Sequence, residues 1–330
     1  MSDNGKTLYI TNGSSTKIRM EQAGIEGDIL CWDDVLHEGP VPAGLGFDEL
    51  CELRAGFIAQ CGWAKPEAAL QQFKERYLWL SQSLDYQRVV LLFEHDLYDQ
   101  LQLIQLLDWF ANQKMRSGFL YLAQADDYLG TLQPSQIATI IDAAQPVGGA
   151  QLGVGRNAWR VYRSDNPKDL ERFLRTNIGA LPFLFDALAR HLEQYPYAGN
   201  GLNRTEQQIL TVVDSGKQRP GDIFDAFQEL EEARFMGDST FWLYLNSMID
   251  CDAPLLQIDH GGMLRLPTSH PWPPEFGEQY ITTTATAKDV MENRADWLAI
   301  KAIDKWYGGV HLTMDNLWRW DDHDGQLVKS

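Results

Sequence analysis

Five apolar residues, Val89-Val90-Leu91-Leu92-Phe93, run without a polar break and lead straight into Glu94-His95-Asp96. A short unbroken apolar run reads as a strand buried on both faces, the kind found in parallel sheets. The residues after it change period. Leu97, Leu101, Ile104 and Leu107 recur at helical spacing, and Leu103, Leu106 and Phe110 widen the stripe. Glu94, His95, Asp96 and Asp99 therefore stand where a buried strand hands over to a helix. In open parallel α/β sheets that carboxyl edge is where ligands bind. The stretch sets an architecture and a site; it names no reaction.

The flanking chain agrees with a parallel sheet. Leu8-Tyr9-Ile10-Thr11 is β-prone, Asn12-Gly13-Ser14-Ser15 is a turn leading into a helix that Ser14 or Ser15 can cap, and Gly27–Trp32 reads as a second strand. Strand, helix and strand in so short a span form a βαβ start and imply parallel pairing. Asp33 to Pro42 is a loop, because Gly39, Pro40 and Pro42 forbid a helix; it carries Asp34, His37 and Glu38. Helices are expected near Phe47–Cys61 and Pro66–Leu84. A further strand, Gly118–Leu122, precedes Gln124, Asp126 and Asp127.

From Pro134 to Pro196 the pattern is helical, with short helices near Ser135–Ala144, Val147–Tyr162, Lys168–Thr176 and Pro182–Gln194. Tyr195–Gly201 reads as a linker. Asn203-Arg204-Thr205-Glu206 has capping-box spacing and opens the first of three further helices. A hairpin signal follows, Leu255–Ile258 and Met263–Leu266 flanking His260-Gly261-Gly262. Three helices and a hairpin are the order of a winged helix. Trp297, Trp306, Trp318 and Trp320 mark a tail that packs back on the body. The expectation is an α/β protein: an N-terminal Rossmann-like parallel sheet over 1–133, a helical middle region over 134–198, and a C-terminal winged-helix-like α+β domain with a Trp-rich tail over 199–330.

Charge narrows the partners. The 330 residues carry a net charge of −18, and the pI is about 4.7. Such a field repels phosphate backbones and disfavours broad nucleic-acid binding. Cys31, Cys51, Cys61 and Cys251 form no CxxC pair, so neither a zinc ribbon nor a dithiol motif is present. Their scatter suits a reduced compartment. No apolar run approaches the roughly 20 residues of a membrane helix, and no apolar leader follows the polar start. A cytoplasmic protein without membrane attachment is expected.

Several longer motifs resemble a known family. Ile10-Thr11-Asn12-Gly13-Ser14, the run from Trp32 through Asp34-Val35-Leu36-His37-Glu38-Gly39-Pro40-Val41-Pro42, and Phe93-Glu94-His95-Asp96-Leu97-Tyr98-Asp99-Gln100 are similar to the bacterial family known as domain of unknown function 1835. The likeness continues through Asn200–Glu206, Phe235–Asp238 and Gly308–Leu312, nearly the whole chain. The family pattern often has an aspartate where this chain has Ser14, so that position offers a hydroxyl instead of a carboxylate. The resemblance implies a bacterial cytoplasmic protein and attaches no activity to it.

The candidate site joins three loops. His95, Glu94, Asp96 and His37 are the candidates for acid–base work, as imidazole and carboxylate groups together can move protons. Asn12, Gly13, Ser14, Ser15, Glu38, Asp99 and Gln100 are the candidate ligand contacts, the Asn-Gly-Ser-Ser turn offering N–H groups to an anion. The competing reading has Asp96 and Asp99 capping the following helix. Arg156 and Arg160, with Arg163 on the same helical face, could clamp a phosphate or carboxylate, or pair with surface acids. No HxH or HxxxH spacing is present, so no metal ligand is assigned. No GxGxxG or P-loop motif is present either, and no cofactor is identified. The leading expectation is binding of a small anionic molecule, such as a nucleotide or phosphorylated metabolite, with hydrolase or transferase chemistry on it left open. The alternative is a ligand-sensing regulator using the winged helix for DNA or protein. Pro220–Ala233 and Asp238–Pro254 contain no Lys or Arg, which makes DNA the weaker partner and leaves a protein partner or a second copy open.

Overall fold

The computed structural model describes residues 6–259, 261–267 and 272–330. The chain forms two compact units, one of residues up to Ala189 plus Gly308–Val310, the other of Arg190–Tyr307 plus His311–Ser330. The division falls inside the helix Leu184–Leu192, not at 133/134 and 198/199. The helices over 134–189 belong with the sheet.

The first unit is a mixed α/β layer structure. Its strands are β1 (Thr7–Thr11), β2 (Asp28–Cys31), β3 (Arg88–Phe93), β4 (Leu120–Gln124) and the short β5 (Gln145–Pro146). They lie in the order β2-β1-β3-β4-β5. The first four are parallel; β5 is antiparallel to β4 and forms the edge. That edge strand occupies a place where the sequence reads as a break between helices. Its second residue is a proline, which a sheet tolerates only at an edge.

Strand β3 explains itself by burial. Val90 and Leu92 join Tyr9, Ala123, Met20 of α1 (Ser14–Gln22) and Ile137 and Ile141 of α2 (Pro134–Asp142) in one core. Strand alternation turns Val89, Leu91 and Phe93 to the opposite face. There α3 (Leu97–Ala111) packs on β3. Burial on both faces is why the run carries no polar residue.

Helix α4 (Gly149–Tyr162) lies against α3. Contact is close because Gly155 has no side chain: a Cβ there would stand 2.5 Å from Leu107 Cβ. Gly155→Ala is expected to cost about 1–3 kcal/mol through overpacking. Urea denaturation checks this, and an unchanged midpoint would mean the two helices can part freely. Gly308 and Gly309 return to this unit. Gly309 N donates to Tyr162 O (3.0 Å), and an added Cβ on either residue would collide with backbone carbonyl oxygens of the 162–164 segment.

The second unit opens with α5 (Arg204–Asp214), α6 (Pro220–Gln228) and α7 (Asp238–Ile249). The Asn203–Glu206 capping box forms as expected. The strand Leu256–Ile258 does not pair with Met263–Leu266. Its antiparallel partner is Ile281–Thr283. Ile281 is fully buried there, whereas Met263 is 66 % exposed, so burial decides the pairing. His260, the first residue of the expected turn, lies outside the described residues. Tyr195–Gly201 is not a free linker. Trp320 N donates to Pro196 O (2.8 Å) and Ala198 N donates to Trp320 O (2.9 Å), so this segment is bound to the tail strand. Of the four tail tryptophans, Trp297 is fully buried. Among the described residues, no helix is long and apolar enough to cross a membrane.

Candidate functional site

Register places the loops after β1, β3 and β4 on one edge. Thr11 pairs with Leu92, and Phe93 with Gln124, so Asn12, Glu94 and Ala125–Asp127 emerge side by side. The chain runs from β1 to β2 on one side and then crosses back to β3 on the other. Between β1 and β3 the strand order reverses, and crevices at such points receive ligands.

Asn12 and Glu94 meet at that point. The Asn12 amide nitrogen donates to Glu94 Oε1 (2.9 Å) and to Asp99 Oδ2 (2.9 Å). Its Oδ1 accepts from buried Thr16 Oγ1 (2.7 Å), so a flipped amide would set oxygen against two carboxylates. Asp99 Oδ1 accepts from Glu94 N (2.6 Å). Leu129 N donates to Glu94 Oε1 (2.8 Å), and Gln100 Nε2 to Glu94 O (2.6 Å). Asp96 caps α3, its Oδ1 accepting from Asp99 N (3.1 Å). Asp96 is thus a helix cap, as the competing reading has it, and stands beside Glu94 and Asp99.

Glu94, Asp96 and Asp99 each present an oxygen within 4.8 Å of the others, and all three side chains are buried. Among the described residues no basic side chain pairs with them. Burial pushes Asp96 well above the usual carboxylate range, and the Glu94 charge adds to it. Burial does the same to Asp99, with Asp96 and then Glu94 adding. Glu94 is raised too by burial, eased by the Asn12 amide, Leu129 N–H and Asp96. Burial and mutual repulsion thus favour proton uptake by the trio, Asp96 and Asp99 more strongly than Glu94, which more donors face. The same three oxygens could ligate a hard divalent cation, a ligand set that histidine spacing in the sequence does not disclose.

The histidines stand apart from this trio. The His95 ring packs against Tyr128 (5.3 Å between centroids) and Phe183 (5.9 Å). Burial lowers its pKa, against the pull of Asp126 and Asp127. Its acidic neighbours thus come from the loop after β4. His37 is buried and sits edge-on to Tyr98 at 6.0 Å; the Tyr98 hydroxyl donates to Asn12 O (3.2 Å). Gly13 is the residue before α1, with no side-chain cap on that helix, and Ser14 and Ser15 are exposed in its first turn. Neither serine caps it.

Three expected contacts go elsewhere. Glu38 lies toward the helix Phe47–Gln60, where burial first and the Glu38 charge second push the Cys61 thiol up to about 11. Arg156 donates to Ala111 O (2.7 Å) at the far end of α3, roughly 20 Å along the helix from Asp99. Arg160 is exposed one turn further on, and Arg163 binds Pro42 O and Leu45 O. The stripe holds loops and helix ends; it does not reach the trio.

Arg54 is the determinant that sequence reasoning missed. Its guanidinium grips the Asp34 carboxylate through Nε (3.2 Å to each oxygen) and Nη2 (2.7 Å). It also donates to Glu38 O (2.6 Å) and Val35 O (2.8 Å). Thr16 was equally hidden, its only signal being a position four residues after Asn12 at the start of a helix. Compared with known proteins, the chain matches no family model and no curated protein.

Proposed function

We propose that this chain is a hydrolase or transferase that binds a small anionic molecule, a phosphorylated compound, at the carboxyl edge of its main sheet. Glu94 and Asp96 supply the acid–base chemistry. The observation that supports this most is the buried Glu94–Asp96–Asp99 trio, without a basic partner among the described residues, at the reversal of strand order. We read the first unit as Rossmann-like, the arrangement in which such a crevice receives nucleotides and related ligands. Carboxyl groups whose acidity burial lowers can give and take a proton in acid–base chemistry.

The trio also sets a condition. A bare anion is repelled by its charge, so the anion enters with a divalent cation held by Glu94 and Asp99, Asp96 keeping the proton and the first-turn N–H groups of α1 facing the anion. Thermal shift against sugar phosphates and nucleoside monophosphates, with and without Mg²⁺, tests this reading. Mg²⁺ should stabilise the wild-type protein and let an organic phosphate stabilise it further. Asp99→Asn should lose both responses. A panel in which no compound moves the melting temperature, with or without Mg²⁺, ends the proposal.

The resemblance to the domain of unknown function 1835 stands as a proposal beside this one. A second reading concerns the other unit. We read α5, α6, α7 and the Leu256–Ile258/Ile281–Thr283 pair as winged-helix-like. With no Lys or Arg in α6 or α7, this module suits a protein partner better than DNA, which is the regulator alternative. A gel shift that weakens steeply with salt would favour DNA instead.

A further inference from the structure

The second unit contains a cavity of about 310 Å³, within the size range of small-molecule sites. Its lining mixes apolar side chains, Trp297, Leu298 and Ile303, with the charged Lys301, Lys305, Glu206 and Asp304. Two lysines and two acids line it, in a chain whose net charge is −18.

The two lysines are held differently. Lys301 Nζ donates to Ser247 O (3.2 Å) and lies 4.1 Å from the Trp297 ring centroid. Burial first, and Lys305 among the other causes, lower its pKa. Lys305 Nζ stands 3.8 Å from Glu206 Oε1, beyond hydrogen-bond distance, and 4.2 Å from the Tyr244 ring centroid. Glu206 is already committed, since its Oε2 accepts from Asn203 N (3.0 Å). The other lining acid, Asp304, is exposed and bound to His311 (2.7 Å). Each ammonium has three donors, and Lys301 spends one on Ser247 O, so the cavity offers N–H groups beside the Trp297 and Tyr244 rings.

We propose that this cavity binds a small organic phosphate, its phosphate between Lys301 and Lys305 and its apolar body against Trp297, Leu298 and Ile303. Lysine serves phosphate as a compact point charge with rotatable donors, and a dianion answers two ammonium groups better than a carboxylate does. The site is independent of the trio in the first unit and needs no metal.

Isothermal titration of the full chain in EDTA buffer tests it, with phenyl phosphate, inorganic phosphate and benzyl alcohol as probes. EDTA keeps any cation-dependent site empty. Phenyl phosphate should bind once per chain, more tightly than either other probe. Lys305→Gln, at a partly exposed position that tolerates substitution, should weaken it about tenfold or more, the loss of one charge-assisted hydrogen bond. Lys305→Arg should restore most of the affinity, and Leu298→Trp should block the cavity. No heat from phenyl phosphate overturns the proposal. So does benzyl alcohol or inorganic phosphate binding as tightly, or Lys305→Gln binding like wild type.

Discussion

Replacing Arg54 with methionine is expected to cost the protein roughly 3–5 kcal/mol, the penalty of stranding a buried charge. Arg54 and Asp34 are both almost fully buried. The variant leaves the Asp34 carboxylate without its cation and the carbonyls of Val35 and Glu38 without their donors. Each loss carries a desolvation penalty that the methionine side chain cannot offset. The effect should spread, because this loop seats His37 beside Tyr98, whose hydroxyl binds Asn12 O. Ligand-induced stabilisation should therefore fall along with the urea midpoint. The double variant Asp34→Asn/Arg54→Met should recover part of the loss, since it removes the charge as well as its partner. A loss below about 1 kcal/mol in the single variant would show that this ion pair does not hold the loop.

Asp96→Asn should do the reverse at alkaline pH. An asparagine there keeps the helix cap through its oxygen and donates to Glu94 through its nitrogen, imitating protonated Asp96. Two like charges about 4–5 Å apart at an effective dielectric constant near 20 repel by roughly 3–4 kcal/mol. Removing one of them should stabilise the fold on the order of 2 kcal/mol at pH 8, or several degrees of Tm. The sign follows from linkage. Asp96 and Asp99 titrate higher in the folded protein than in the unfolded chain. The stability this contributes is complete below the unfolded carboxylate value near 4 and is lost as pH rises through the folded value. Wild type should weaken with rising pH over that window, and the variant should weaken less. Other groups titrate there too, His191 among them, held by burial at about 3. The difference between wild type and variant is therefore the quantity to measure. Proton transfer in the proposed reaction should vanish in the same variant, because an amide cannot give up the proton. A variant no more stable than wild type at pH 8 would show that the trio is relieved by other means.

Much of the fold is local and was readable. The β3 run, the α3 stripe, the Asn203 capping box and the proline-opened helices each announce themselves within a dozen residues, since period and cap chemistry act at short range. Burial on both faces also makes β3 and its carboxyl edge a candidate site from sequence. The β5 edge strand and the partner of Leu256–Ile258 were not readable. Two-residue strands carry no period, and strand partners are chosen by which residue ends up buried, as Ile281 does.

The site divides along the same line. The sequence by itself determined that Glu94, Asp96 and Asp99 stand near one another at a strand-to-helix junction; which of the neighbouring groups share a cluster with them it did not determine. Tertiary structure alone decided their company. Asn12 reaches Glu94 across 82 residues of chain, Arg54 takes Asp34 and Glu38 O away from the crevice, and His95 turns to Tyr128 and Phe183. Such choices depend on strand order and register. They set distances between groups remote in sequence, and no local pattern encodes those distances.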